Sequence, residues 1–177
     1  MSTETVHKLA PGDLVEHHEL VTIEGETARV PDPERTVHLQ FRRYAGCPIC
    51  NLHLRSVAKR NDEIDAAGVR EVVVFHSSAD TMREFQSDLP FAVIADPEKK
   101  LYAEFGVESS PKAVLSLKSQ MAAMQGMVAQ IKRSGLKTTL GVGEQLTGLP
   151  ADFLIASDGR VLASKYGANA NDQRNQQ

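Results

Sequence analysis

The sequence contains no tryptophan and only 5% aromatic residues, which leaves few rings on which nucleotide bases could stack. Its net charge is −3 at pH 7, whereas a surface that binds nucleic-acid phosphates needs an excess of Lys and Arg. The longest wholly apolar run, at 91–95, is far short of the ~20 residues that span a bilayer. Residues 1–11 contain no apolar signal core. These absences predict a cytoplasmic protein with neither a nucleic-acid nor a membrane partner.

The sequence also has little cysteine, with only Cys47 and Cys50 among its 177 residues. A secreted disulfide scaffold uses more cysteines at wider spacing. A chain within the ~100–200 residues of a typical domain can bury a core without such links. Two cysteines separated by two residues are typical of thiol redox chemistry or of a metal site. The sequence is therefore informative about mechanism and says little about substrate.

Apolar patterning predicts an α/β fold in which strands and helices alternate. Residues 36–44 alternate between apolar and polar side chains, which indicates a strand. Apolar runs within 69–76 and 91–95 are typical of parallel strands that are covered on both faces. Each strand is followed by apolar residues at helical spacing, and the first helix is expected to run from Cys47 to a stop at Gly68. Repeated strand–helix units favour right-handed crossovers within one sheet.

The two ends of the chain add further predicted elements. Turn residues separate strands at 19–22 and 27–30, which predicts an N-terminal β-hairpin. Strands at 152–156 and 160–164 flank an Asp-Gly turn and are expected to pair antiparallel. We therefore expect four parts, which are a hairpin extension (1–35), a core domain (36–166), a helical and glycine-rich insertion within it (112–148), and a flexible tail (167–177).

A Cys-Pro-Ile-Cys motif connects the first core strand to the first helix. Its first cysteine, Cys47, is expected at the helix N-terminus, where unpaired N–H groups and the helix dipole stabilise a thiolate. Its second cysteine, Cys50, lies one turn on, close enough to attack a mixed disulfide formed by the first. Arg42 and Arg43 precede the motif and add positive charge. The pattern predicts a redox-active dithiol that needs no organic cofactor.

Two other interpretations of the cysteine pair remain open. Cys47, Cys50 and His53 together offer three of the ligands that a zinc site needs. The sequence has no second cysteine pair, and Asn51 follows Cys50 directly, so the haem-attachment motif is absent. The other interpretation is a pair of cysteines with neither redox nor metal chemistry. Redox chemistry is favoured, and no metal is predicted, because a Cys-x-x-Cys motif beside a βαβ pattern is typical of thiol oxidoreductases.

Two serines follow the second core strand, at the sheet edge where sites of α/β proteins usually form. The stretch is His76-Ser77-Ser78. Capping of the next helix explains the serines without a functional role.

A proline far along the chain, Pro150, stands immediately before a predicted strand. Together with the cysteine motif, it makes the chain resemble the thioredoxin superfamily. The resemblance implies that Pro150 is a cis-proline opposite the cysteines and that the backbone of Leu149 pairs with a bound substrate. The predicted substrate-binding residues are Leu149, Pro150, Arg42 and Arg43.

More narrowly, the chain is similar to the peroxiredoxin-like branch of the alkyl hydroperoxide reductase/thiol-specific antioxidant (AhpC/TSA) family. The stretches that carry this resemblance are 41–50, 72–78, 95–107 and 149–161. The resemblance implies a thioredoxin-like fold, in which helices flank a central mixed sheet. The predicted N-terminal β-hairpin and a helix expected from the apolar stripe over 117–131, before the cis-proline strand, are additions to this fold.

The chain departs from the Pro-x-x-x-Thr/Ser-x-x-Cys pattern of typical peroxiredoxins. If Cys50 takes the place of the peroxide-attacking cysteine, Cys47 replaces the Thr/Ser and Arg43 replaces the proline. If Cys47 takes that place, Tyr44 replaces the Thr/Ser. Pro150 stands near the position of the arginine that the family carries before its late strand. The peroxiredoxin alignment makes Cys50 the first sulfur to react, whereas the helix-terminus argument favours Cys47 as nucleophile and Cys50 as resolving residue.

The predicted function is that of a thiol oxidoreductase that cycles between dithiol and disulfide. The oxidant is a hydroperoxide or a protein disulfide, and the reductant is an external thiol because the chain has no further cysteine. The alternative is a redox-sensing or partner-binding module without useful turnover, with Met121 and Met124 on a docking helix. These methionines belong to an apolar stripe over 117–131, for which core packing, a lid and a homodimer seam are the interpretations.

Overall fold

The computed structural model of the protein describes residues 7–107 and 149–168. Its elements in chain order are β1 (His18–Val21), β2 (Thr27–Val30), β3 (Thr36–Phe41), α1 (Pro48–Lys59), α2 (Asn61–Ala66), β4 (Val69–Phe75), α3 (Ala79–Gln86), β5 (Ala92–Ala95), α4 (Lys100–Glu104), β6 (Ala151–Ile155) and β7 (Val161–Tyr166). The predicted insertion and nearly all of the predicted tail lie outside the described residues. None of the described helices is long and apolar enough to cross a membrane.

Five strands form one mixed sheet in the order β5-β4-β3-β6-β7. Strand β3 lies at its centre, parallel to β4 and antiparallel to β6. Strands β4 and β5 are parallel, and β6 and β7 form the antiparallel pair that the Asp-Gly turn predicts. The predicted α/β fold with a central mixed sheet is therefore confirmed. The cysteine motif follows directly from the carboxyl end of the central strand.

Strand β3 is covered on both of its faces. The apolar side chains of one face pack into the main core, whose aromatic members are Phe41, Tyr102, Phe105 and Phe153. The polar side chains of the other face, His38, Gln40 and Arg42, are buried as well. Successive strand residues point to opposite sides of a sheet, so this polar face lies on the side of the second core cluster, which contains both cysteines, Leu54 of α1 and Met82 of α3.

The N-terminal hairpin is present and covers one edge of the sheet. Strands β1 and β2 pair antiparallel around a turn in which Gly25 has a φ of 88°. The amide of Ile23 donates to the carbonyl of Val93 over 2.9 Å, which attaches the hairpin to β5. At the opposite edge, Val161 of β7 exchanges two backbone hydrogen bonds with the segment at Gly12 and Asp13. Residues before the core sheet thus occupy backbone groups at both of its edges.

The helix that the sequence predicts from Cys47 to Gly68 is two helices, α1 and α2, so the prediction of one continuous helix is wrong. They meet at Arg60, whose φ of −107° and ψ of 9° leave the helical region. The amide of Arg60 donates to the carbonyls of Val57 and Ala58, so the first helix closes in a tightened last turn. Gly68, with a φ of 76°, ends the second helix as predicted.

Candidate active site

Both cysteines lie at the N-terminus of α1. Cys47 is the N-cap residue, with an extended φ of −64° and ψ of 111°, and its Sγ accepts a hydrogen bond from the Cys50 amide over 3.4 Å. The two Sγ atoms are 2.8 Å apart, and both cysteines are reduced thiols. A sulfur at this position faces the unpaired amides of the first helical turn. The position predicted for Cys47 is confirmed.

The surroundings of Cys50 favour its protonated form. Burial raises the pKa of the Cys50 thiol well above its ordinary value, and its hydrogen bond and charge repulsion with Cys47 raise it further. The Arg43 amide and the Arg42 guanidinium lower it by less. Cys50 therefore keeps its proton, and its Sγ donates a hydrogen bond to Cys47 Sγ.

The sulfurs are closed off from solvent. Cys47 and Cys50 are each 0% exposed and belong to the apolar cluster that includes Tyr44, Leu54 and Phe75. A cleft of about 520 Å³ opens nearby between the β1–β2 turn and the start of β5, but neither cysteine lines it. A reactant therefore reaches the sulfurs only if it is small or if the cover over them moves.

Three polar side chains hold the loop that precedes Cys47, and the sequence reasoning missed their role. The Ala45 amide donates to Ser77 Oγ over 2.8 Å. The Ala45 carbonyl accepts from Asn51 Nδ2 over 3.2 Å and from Gln86 Nε2 over 2.9 Å. Ser78, and not Ser77, caps helix α3, since its Oγ accepts from the Thr81 amide. The position of Ser77 at a carboxyl strand end was a signal for the site, whereas Gln86 carried none.

Arg42 is part of a buried ionic network beneath α1. Its Nη2 lies 2.8 Å from Asp152 Oδ1 of β6 and donates to His53 Nε2 over 3.3 Å. It also donates to Gln40 Oε1. Burial would raise the pKa of Asp152, but Arg42 and His38 outweigh it and hold that pKa well below its ordinary value. Arg42 thus places a fixed positive charge under the helix that carries the cysteines.

His38 extends this network to a second carboxylate. Its Nδ1 lies 2.9 Å from Glu71 Oε2, and its Nε2 lies 3.2 Å from Asp152 Oδ1. Burial alone would lower the pKa of His38, but the hydrogen bonds to Asp152 and Glu71 prevail and raise it. With a carboxylate at each ring nitrogen, His38 is favoured as an imidazolium that donates to both.

His53 faces this network rather than a metal site. Its Nε2 accepts from Arg42, and burial together with the Arg42 charge lowers its pKa to about 4, which leaves the imidazole neutral. Among the residues that the structure describes, no group of three or more His, Cys, Asp and Glu side chains is arranged to hold a metal ion. The geometry therefore gives no support to a site built from Cys47, Cys50 and His53.

The structure brings Pro150 to the same edge of the sheet as the cysteine loop. Phe41 pairs with Ala151, which places Pro150 beside the end of β3. The Pro150 carbonyl accepts from the Gly167 amide over 2.8 Å and so begins the β6–β7 pairing. Within the described ranges the cis bond is Val30–Pro31, so the prediction of a cis-proline at Pro150 is wrong. The trans isomer, which X–Pro bonds ordinarily prefer, already allows this pairing.

The remaining predicted site residues have mixed surroundings. Arg43 is fully buried, with its guanidinium 5.6 Å from the centre of the Tyr44 ring. Leu149 is half-buried. A direct contact of Leu149, Pro150, Arg42 or Arg43 with a substrate stays a prediction. Arg42 and Arg43 act on Cys50 instead, one through its charge and the other through its backbone amide.

A five-stranded mixed sheet, with a Cys-x-x-Cys pair at the N-terminus of the helix after its central strand, places the chain in the thioredoxin-fold class of proteins. Residues 56–169, more than half of the chain, match the family model of the AhpC/TSA antioxidant enzymes. The chain belongs to this family, in the peroxiredoxin-like branch of the thioredoxin superfamily. The matched region begins after both cysteines, so the membership rests on the rest of the domain.

The chain is also similar in sequence to a curated relative and in fold to three solved structures. The chain is 29% identical over 135 residues to the thioredoxin-like protein AAED1, chloroplastic, of Arabidopsis thaliana, over 72% of this chain and 52% of that protein. The chain thus spans about half the length of this relative. Peroxidoxin BcpB of Mycobacterium tuberculosis has a TM-score of 0.65 at 18% identity, covering 94% of this chain and 90% of its own.

Two further structures share the fold. A mutant of PrxQ from Xylella fastidiosa has a TM-score of 0.64 at 13% identity, covering 90% of this chain and 86% of its own. A protein from Chlorobium tepidum assigned as a thiol:disulfide interchange protein DsbE has a TM-score of 0.58 at 20% identity, covering 90% and 87%. The fold is therefore common to proteins named for peroxide chemistry and for disulfide exchange.

Proposed function

We propose that this protein is a thiol oxidoreductase that cycles Cys47 and Cys50 between dithiol and disulfide. The observation that carries the proposal is the 2.8 Å separation of their Sγ atoms at the N-terminus of α1. A disulfide requires an S–S distance of about 2.0 Å, so a small side-chain movement closes the pair. Thiolate stabilisation at the helix terminus and a resolving thiol within reach are the two requirements of this chemistry.

The proposed roles follow from the protonation of the pair. Burial and the hydrogen bond to Cys47 keep the proton on Cys50. The thiolate that attacks the oxidant is therefore that of Cys47. Cys50 then loses its proton and attacks the Cys47 sulfur. An external thiol later reduces the resulting disulfide, since the chain holds no third cysteine.

We favour a small hydroperoxide over a protein disulfide as the oxidant, because both sulfurs are fully buried. In this reaction the thiolate attacks one peroxide oxygen, the O–O bond breaks, and an alcohol or water leaves after protonation. Cys47 becomes a sulfenic acid. Cys50 then attacks its sulfur, the S–O bond breaks, and water and the disulfide are formed.

A disulfide oxidant would follow the same order of attack. The Cys47 thiolate displaces one thiolate of the partner and forms a mixed disulfide, and Cys50 displaces the other. A folded partner meets the steric barrier of the closed site, so this route needs the cover over the sulfurs to move.

The burial of both sulfurs also favours a second candidate, a redox sensor that is oxidised slowly and does not turn over usefully. The two candidates share the disulfide and differ in rate. A sensor reacts slowly with every oxidant and changes its assembly state or partner on oxidation. An enzyme is re-reduced and regains its reactivity over many cycles.

The proposal is tested by titrating the reduced protein with hydrogen peroxide, an organic hydroperoxide and oxidised glutathione, and following the thiol state by mass spectrometry. We expect a disulfide between Cys47 and Cys50 to form with a preferred oxidant, and Cys47→Ser to abolish it. Turnover with an added dithiol reductant separates the enzyme from the sensor. If Cys47→Ser consumes oxidant as fast as the unmodified protein, the assignment is wrong.

A further inference from the structure

The backbone N–H and carbonyl of Ala45 are hydrogen-bonded to side chains from three separate parts of the fold. Ser77, after β4, accepts from its amide, while Asn51 of α1 and Gln86 of α3 donate to its carbonyl. Ala45, Ser77 and Gln86 are each at most 2% exposed. Ala45 stands two residues before Cys47, so its position sets where the cysteine loop enters the helix.

The two amide side chains form a closed set of hydrogen bonds with the Ala45 carbonyl. Gln86 Nε2 donates one hydrogen to this carbonyl and the other to Asn51 Oδ1. Asn51 Nδ2 donates to the same carbonyl, which therefore accepts two hydrogen bonds. We call this arrangement of Asn51, Gln86 and the Ala45 carbonyl the amide clamp. In each of these hydrogen bonds an amide NH₂ group donates and a carbonyl oxygen accepts.

The amide clamp connects α3 to the position of the reactive sulfur. The next backbone bond along the loop runs from the Cys47 amide to the Tyr44 carbonyl over 3.0 Å. The amide clamp and this backbone bond together hold the loop immediately before the N-cap position of Cys47. At the N-cap position, Cys47 Sγ accepts a hydrogen bond from the Cys50 amide, and this donor stabilises negative charge on the sulfur.

We propose that Gln86 and Asn51 are positioning residues that tune the reduction potential of the Cys47–Cys50 pair by holding the cysteine loop at the helix N-terminus. This inference rests on the proposed thiol–disulfide function. Neither side chain is assigned to touch substrate. Both act through the Ala45 carbonyl, and Gln86 also connects the cysteine loop to helix α3, which carries no cysteine.

The direction of the effect follows from the reduced state. A thiolate that is held against helix amides stabilises the reduced form and makes a dithiol more oxidising. Release of the loop weakens this stabilisation. Loss of the amide clamp therefore shifts the equilibrium with glutathione toward the protein disulfide and raises the pH at which the thiol reacts.

The test compares Gln86→Met with the unmodified protein. Methionine retains the length and apolar volume of glutamine and removes both hydrogen bonds of its amide. We expect the equilibrium constant for disulfide formation against glutathione to rise about tenfold, which corresponds to about 30 mV. The rate of iodoacetamide alkylation, followed against pH, should shift to higher pH in the same variant.

Arg55→Ala is the matched control, because Arg55 of α1 pairs with Asp88 just after α3. This exposed ion pair joins the same two parts of the fold without contacting Ala45. We expect Arg55→Ala to leave the glutathione equilibrium constant and the alkylation profile unchanged. Thermal unfolding of each variant records any general loss of stability.

Asn51→Leu removes one of the two donors and keeps the inference testable if Gln86→Met does not fold. An equilibrium constant within twofold of the unmodified value in the clamp variants, a shift toward the dithiol, or an equal shift in Arg55→Ala would overturn the inference. If the unmodified protein forms no disulfide with either oxidised glutathione or hydrogen peroxide, the proposed function fails. If it exchanges and the clamp variants match it, only the positioning role fails.

Discussion

The carboxylate of Asp152 and the guanidinium of Arg42 form a buried ion pair, with Oδ1 and Nη2 separated by 2.8 Å and both side chains at most 2% exposed. The pair joins β6 to the end of β3, directly before the cysteine loop. Buried ion pairs contribute little net stability compared with apolar residues, but removal of one partner leaves an uncompensated charge. The cost of disrupting this pair is therefore large even if its net contribution is small.

Arg42→Met should destabilise the protein by about 3–5 kcal/mol, because it leaves Asp152 buried beside a single remaining cationic partner. Urea denaturation monitored by circular dichroism measures the change. Arg160→Ala removes an exposed ion pair with Asp158 and should stay within about 0.5 kcal/mol of the unmodified protein. Equal losses in the two variants would show that the buried pair has no special cost.

His38 should make stability depend on pH in a defined direction. Its folded-state pKa is raised above the unfolded value of 6.5, so its contribution is fully present below that value. The contribution is lost as the pH rises through the folded pKa. We expect the difference in unfolding free energy between the unmodified protein and His38→Gln to decrease from pH 6 toward alkaline pH. A difference that stays constant over this range would contradict an imidazolium between Glu71 and Asp152.

Cys50→Ser should trap the first step of the reaction. With the resolving thiol removed, Cys47 still attacks a small disulfide such as oxidised glutathione, and the mixed disulfide persists. Intact-mass spectrometry should show one added glutathione on Cys50→Ser and a much slower addition to Cys47→Ser. The reverse order of reactivity would assign the first attack to Cys50, as the typical peroxiredoxin alignment does.

Two glycines with similar backbone angles should differ in their tolerance of a side chain. Gly68 and Gly159 have φ values of 76° and 87°, but a Cβ at Gly68 meets nothing within 4 Å, whereas a Cβ at Gly159 would lie 2.9 Å from the Val15 carbonyl oxygen. Gly68→Ala should cost about 1–2 kcal/mol from backbone strain alone. Gly159→Ala should cost more, because the N-terminal segment must also shift. Thermal unfolding under one set of conditions compares the two variants. Equal losses of stability would show that the contact with the Val15 carbonyl relaxes without cost.

The sequence predicted the order of strands and helices well, because that order depends on local patterning. Alternation over β3 identified the strand, and the position of the cysteine motif identified the helix N-terminus. The same alternation could not show that the polar face of β3 is buried. The partner of Arg42 is Asp152, 110 residues away, and it becomes visible only when β6 pairs with β3.

The site was predictable only as far as its local chemistry. The proximity of Cys47 and Cys50 follows from their spacing, whereas their complete burial depends on side chains from several elements. Gln86 reaches the loop from 41 residues away, and nothing in its neighbours marks it. The cis geometry expected at Pro150 came from family resemblance, and the pairing of its carbonyl with the Gly167 amide forms in the trans isomer.

The attachment of the N-terminal segment at both outer strands has a consequence for how the protein associates with itself. Backbone groups of β5 bond to Ile23, and those of Val161 in β7 bond to Gly12 and Asp13. The continuous stretch 12–23 therefore covers the outer strand on each side of the sheet. A form that has lost its first 30 or so residues would present unpaired strands on either side, and exposed borders of this kind recruit strands from neighbouring molecules. Proteolytic trimming of the leading segment would thus favour polymerisation.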